Sequence, residues 1–181
     1  MSKSLVKLVD YALLPAALLV ASKFIGLFIT TAIFDLSWGI ENVPDSIFSV
    51  RPIFFAEDIL IASTYSDLIM FIIMMIGFSF ILIQAVIFHN SHISPQMLSK
   101  LAGYNLLGLV KNTFEVYHKA AIWTIFFWIS NIVIFANVAL RKTEAWVLIF
   151  SLLISVVLTV FLLRDVAQEI EISKKETLSK L

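Results

Sequence analysis

Lys23 stands inside an otherwise apolar run, between LLPAALLVAS and FIGLFITTAIF. Counted from either end of the run Tyr11–Phe34 it lies about 12 residues deep, roughly 18 Å at about 1.5 Å per residue. A lysine at the centre of a bilayer costs about 2.5–3.5 kcal/mol on insertion scales, and such residues mark ion, proton or anionic-ligand paths by default. Its helical face reads Ala12, Ala16, Leu19, Lys23, Gly26 and Thr30. This small and polar stripe suits contact with other helices rather than lipid. Polar residues elsewhere match that depth, and Lys23, Ser79, Ser130, Asn131 and Ser155 together predict a polar midplane. Ser151, Ser155 and Thr159 repeat every four residues, a spacing that also serves close helix packing. No carboxylate is expected at the level of Lys23. Asp10 and Asp35 fall at the two ends of its run, and Asp67 reads as a solvated residue at the outer edge of the second run. Lys23 is therefore expected to be neutral, hydrated, or paired with an acid from another subunit or a ligand. The plainer reading is a packing or snorkelling lysine that fixes subunit contacts.

The histidines form a second constellation. His89 and His92 are spaced HxxH, and Glu115 and His118 are spaced ExxH. Both spacings place two side chains on one helical face, as metal ligation on a helix requires. Against a metal, Lys111 and Lys119 flank Glu115 four residues to either side and offer it solvated ion pairs. A second inward-facing ExxH of a di-iron bundle is missing. No bound cofactor is expected.

These residues are carried by four long apolar segments. The chain is 60% hydrophobic and 14% charged, against about a half and a quarter in soluble domains. That composition predicts an all-α integral membrane protein, an antiparallel four-helix bundle in one domain of residues 1–181. The spans are expected at about 11–34, 68–88, 120–140 and 145–163, each near the length that crosses about 30 Å of hydrocarbon. Helix is required because each backbone group in lipid must find a partner within its own segment. The second helix is expected to start earlier, near Glu57 and Asp58, because acids suit a helix N-terminus. Pro15 is placed in the first turns of the first helix. Lys3 and Lys7 before an apolar stretch resemble a signal peptide, but hydrophobicity continues to Phe34, so an uncleaved first span is expected.

The connectors have their own signals. Residues 35–67 form a long outer connector with Pro44 and Pro52, expected to lie on the membrane surface or cap the bundle, with a re-entrant turn as the alternative. Arg141–Glu144 is so short that the third and fourth spans must form a tight antiparallel hairpin. In the inner connector, residues 89–119, Ser94-Pro95 reads as an N-cap followed by Pro at the first helical position, and Gly103 ends that short helix. A second, amphipathic interfacial helix is expected to start near Asn105 and run into the third span. The tail, residues 164–181, extends the fourth helix. Nine basic residues (Lys3, Lys7, Lys100, Lys111, Lys119, Arg164, Lys174, Lys175 and Lys180) lie on one side, against Arg51, Arg141 and Lys142 on the other. This bias predicts both termini in the cytoplasm, with the plasma membrane as the default location.

The chain contains no cysteine, which excludes disulfides, thiolate metal sites and iron–sulfur clusters. Nucleotide-binding, serine-hydrolase and zinc-protease motifs are absent. So is any basic, aromatic-rich segment for nucleic acid. The layout of four spans with a long first outer loop, and Ser66-Asp67-Leu68 opening the second span, resembles a family of small bacterial membrane proteins of the YqhA type. That resemblance implies a membrane fold and brings no activity with it. The expected function is a non-catalytic accessory or assembly subunit of a membrane complex, with other membrane subunits, a homo-oligomer and lipid as partners. The alternatives are a small oligomeric channel or transporter with Lys23 at its polar midplane, and a membrane metalloprotein using the interfacial histidines.

Overall fold

The computed structural model describes residues 3–42, 50–55, 58–87, 93–107, 110 and 113–178. Helix α1 (Lys3–Phe34) leads to a hairpin of strands β1 (Trp38–Asn42) and β2 (Val50–Phe54). Helices α2 (Asp58–Ile87), α3 (Pro95–Gly103), α4 (Thr113–Ala139) and α5 (Ala145–Leu178) follow. Helices α1, α2, α4 and α5 are each long and apolar enough to cross a membrane, and they pack against one another as an antiparallel bundle. Helix α2 is the central rod, contacting α1, α4 and α5.

The interior is built from one face of α2 and one of α4. Met70, Phe71, Met74, Phe78 and Ile81 meet Val116, Ala120, Trp123 and Phe127, with Val147 and Leu162 added from α5. Phe127 lies between Phe71 and Phe78, at ring-centroid distances of 5.2 and 5.0 Å. Gly77 gives Trp123 its place: a Cβ there would come within 2.4 Å of the indole ring. Large apolar side chains such as Phe28, Ile76, Phe135 and Leu153 point outward, as expected where lipid rather than water is the solvent.

Three helices end by the same device. Asp35, Asn105 and Arg141 take positive φ values of 50°, 57° and 57°. In each case the next N–H reaches back five residues: Leu36 to the Thr31 carbonyl, Leu106 to Leu101 and Lys142 to Asn137. This is the Schellman arrangement, which satisfies carbonyls that the helix end would otherwise leave bare. It explains why the interfacial helix expected from Asn105 onward does not start there. The left-handed Asn105 closes α3, and the third spanning helix begins at Thr113.

The other local expectations divide. Ser94 caps α3, its Oγ accepting from the Met97 N–H at 3.3 Å, with Pro95 next in line. Helix α3 buries Leu101 and leaves Gln96, Ser99 and Lys100 exposed. The Arg141–Glu144 link does join α4 and α5 as a tight hairpin, and α5 runs on as one helix through the tail to Leu178. Pro15, however, lies well inside α1, which already starts at Lys3. Its missing N–H is tolerated because neighbouring helices support the backbone at such a point. The outer connector also holds structure that the sequence reading lacked, an antiparallel ribbon pairing Trp38 with Phe54, Ile40 with Pro52 and Asn42 with Val50. A two-stranded ribbon consists of edges alone, so Pro52 does not disqualify it.

Candidate functional site

Lys23 has an internal counter-ion, and it is Asp67. The Lys23 ammonium donates to Asp67 Oδ1 at 2.5 Å and to Ser66 Oγ at 2.7 Å. Two corrections follow. A carboxylate does stand within reach of Lys23, and Asp67 is not a solvated boundary residue but is fully buried. Helix α2 starts at Asp58, as expected from the acids there, whereas the apolar span expected from Leu68 leaves Asp67 at its edge. Asp67 therefore lies about 13 Å inside the helix at about 1.5 Å per residue.

Close approach of α1 and α2 makes the pair possible. A Cβ on Gly26 would meet the Ser66 carbonyl oxygen at 2.7 Å and its Cα at 2.9 Å. Only glycine permits that contact. One turn below it, the Lys23 side chain reaches across to Asp67.

The remaining valences of Asp67 are filled from the other hairpin. Asn137 Nδ2 donates to Oδ2 at 2.9 Å and to Oδ1 at 3.2 Å, and Thr143 Oγ1 donates to Oδ2 at 2.6 Å. Ser63 and Thr143 share a 3.0 Å hydrogen bond, and the Glu144 N–H donates to Thr64 Oγ1 at 3.0 Å. The Schellman turn at Arg141 is what aims Thr143 back at α2. The network therefore joins α1, α2, the last turn of α4 and the entry to α5. A buried carboxylate needs several hydrogen bonds to replace its lost solvation, and Asp67 has them.

Ser130, Asn131 and Ser155 bond locally, although Asn131 Oδ1 is buried with no partner among the described residues. Ser130 Oγ donates to the Phe127 carbonyl at 2.6 Å and Ser151 Oγ to that of Leu148 at 3.0 Å. Asn131 Nδ2 bridges to Ser155 Oγ at 2.8 Å and to the Phe127 carbonyl, linking α4 to α5. Ser79 is half-buried on α2. Lys23 hydrogen-bonds with none of Ser79, Ser130, Asn131 and Ser155; its partners are Ser66 and Asp67.

At the other end of the bundle lies a second polar cluster, which sequence reasoning did not assemble. Tyr11 donates to Glu115 at 2.8 Å, Lys119 sits 3.4 Å from Glu115 and 4.8 Å above the Tyr11 ring, and Tyr117 donates to Asp165 at 2.8 Å. From Tyr117 to Asn137 along α4 is about 30 Å at 1.5 Å per residue, close to the roughly 30 Å of a hydrocarbon core. The two clusters thus stand at opposite edges of the apolar slab crossed by α4. Of the histidine constellation, His118 is exposed on α4 and Glu115 is engaged as above, while His89 and His92 lie outside the described residues. Among the described residues, no three histidine, aspartate or glutamate side chains gather as a metal site.

No family model, curated protein or solved structure matches this chain.

Proposed function

We propose that this protein is a non-catalytic accessory or assembly subunit of a membrane complex, held in the plasma membrane with both termini in the cytoplasm. The observation that carries the reading is the saturation of Asp67. Its carboxylate is fully buried and accepts from Lys23, Asn137 and Thr143, so the Lys23–Asp67 pair ties three helices together. A buried pair of this kind favours one specific arrangement over its alternatives. What the bundle offers outward is apolar helix surface, suited to lipid and to neighbouring spans. The orientation rests on the nine-to-three bias of basic residues.

A second reading, a small channel or transporter, is favoured by one observation. The Lys23 side chain is 26% exposed while Asp67 is sealed, so the pair can be approached from one side, as in intramembrane ion relays.

The deciding experiment is native mass measurement of the gently solubilised protein, with reconstitution of the same sample into liposomes. Other membrane proteins recovered in fixed ratio, with no ion or proton flux, are the expected result. A homo-oligomer whose flux is abolished by Asp67→Asn supports the second reading and overturns the first. The orientation is checked on the cysteine-free chain by single cysteines at Lys174 and Lys142. A membrane-impermeant maleimide on intact cells is expected to label only the latter.

A further inference from the structure

At the end of the bundle that carries Lys7, Lys119 and Arg164, helices α1, α2 and α4 leave a crevice of about 230 Å³. Its walls are apolar, from Leu14, Phe80 and Ile81, and Asp10 and Lys119 stand at its polar margin. Leu14 and Phe80 are 63% and 54% exposed, so the crevice opens sideways, toward whatever surrounds the bundle. Two polar side chains, those of Gln84 and Trp123, line it. The two residues are only 9% and 5% exposed. Donors set in an apolar wall suit a ligand that brings a hydrogen-bond acceptor.

The dimensions narrow the choice. Enclosed small-molecule pockets run to about 300–1,000 Å³, so this crevice seats only part of a ligand. The rest must lie along the exposed apolar faces of α1 and α2. That describes a lipid better than a water-soluble substrate. The margin carries both signs, Asp10 and Lys119, with Glu115 3.4 Å from Lys119. A purely anionic headgroup would meet two carboxylates there.

We propose that the crevice binds one phospholipid with a zwitterionic phosphoethanolamine head. Its ammonium faces Asp10 and its phosphate faces Lys119. An ester carbonyl oxygen accepts from Gln84 and Trp123, and an acyl chain leaves past Leu14 and Phe80. Tryptophan and lysine at headgroup depth are the side chains expected for this task. This proposal rests on the membrane setting but not on whether the protein is an assembly subunit.

The test is native mass spectrometry of the full chain in mixed micelles. These contain equal phosphatidylethanolamine, phosphatidylglycerol and phosphatidylcholine, with ubiquinone added in a second arm. One phosphatidylethanolamine per chain is expected, preferred by about tenfold over the other two lipids. Gln84→Leu and Leu14→Trp are each expected to reduce retention by about fivefold or more. The first removes the Gln84 amide and the second fills the crevice without altering its polar groups. Ser99→Ala, on exposed α3, leaves retention unchanged. Equal retention of the three lipids, ubiquinone held in their place, no adduct beyond water, or undiminished binding in Leu14→Trp would each overturn the assignment.

Discussion

Removing Lys23 or Asp67 singly should harm the bundle far more than removing both. Lys23→Met keeps the length of the side chain and deletes its charge. It leaves a fully buried carboxylate with Asn137 and Thr143 as its neutral donors. Breaking a buried ion pair by deleting one partner typically costs about 3–5 kcal/mol, and the upper part of that range applies because Asp67 has no route to solvent. Asp67→Asn strands the lysine instead. Since the Lys23 side chain is 26% exposed, it can turn toward solvent or headgroups, and the cost falls to about 2–3 kcal/mol. In the double variant, the new amide oxygen at position 67 still accepts from Asn137 or Thr143 and no charge is buried, so stability returns to within about 1 kcal/mol of the parent. The coupling energy is therefore about 5 kcal/mol or more, well above the roughly 0.6 kcal/mol average of interhelical hydrogen bonds in membranes. The assay is reversible unfolding in mixed micelles of a mild detergent and dodecyl sulfate, followed by circular dichroism. If the two single losses simply add in the double variant, to within about 0.5 kcal/mol, then Lys23 and Asp67 do not act as a pair and the account of the site fails.

Two further outcomes follow from backbone geometry. Gly26→Ala places a methyl against the Ser66 backbone at 2.7–2.9 Å, which cannot yield as a side chain would. A loss of about 1–3 kcal/mol is expected, whereas Gly103→Ala, with nothing within 4 Å, should be neutral or stabilising by up to about 1 kcal/mol. Equal melting temperatures for the two variants would contradict the close α1–α2 contact. Arg141→Gly relieves a left-handed residue at φ 57° and should raise the melting temperature by the equivalent of about 1 kcal/mol, leaving the Thr143–Asp67 bond in place.

Much of the scaffold was legible because it is written in local rules. Four apolar runs long enough to cross a bilayer, an N-cap at Ser94, the short link at Arg141–Glu144 and a lysine on a small-residue face all follow from residue types a few positions apart. Gly26 belongs to that face, and α1 does use it to approach α2. The partner of Lys23 did not follow. Hydropathy opened the second span at Leu68 and so left Asp67 outside it, although α2 begins at Asp58. Which turn of α1 stands beside which turn of α2 is set by packing at Gly26 and Ser66, across a connector whose length does not dictate an offset. Nothing local in the sequence singles out Asn137 or Thr143, and only the Schellman geometry at Arg141 directs Thr143 inward. The β-ribbon and the crevice beside Gln84 depend on the same kind of long-range placement. Composition states which solvent a segment prefers; where two charges meet is decided by the fit of one helix against the next.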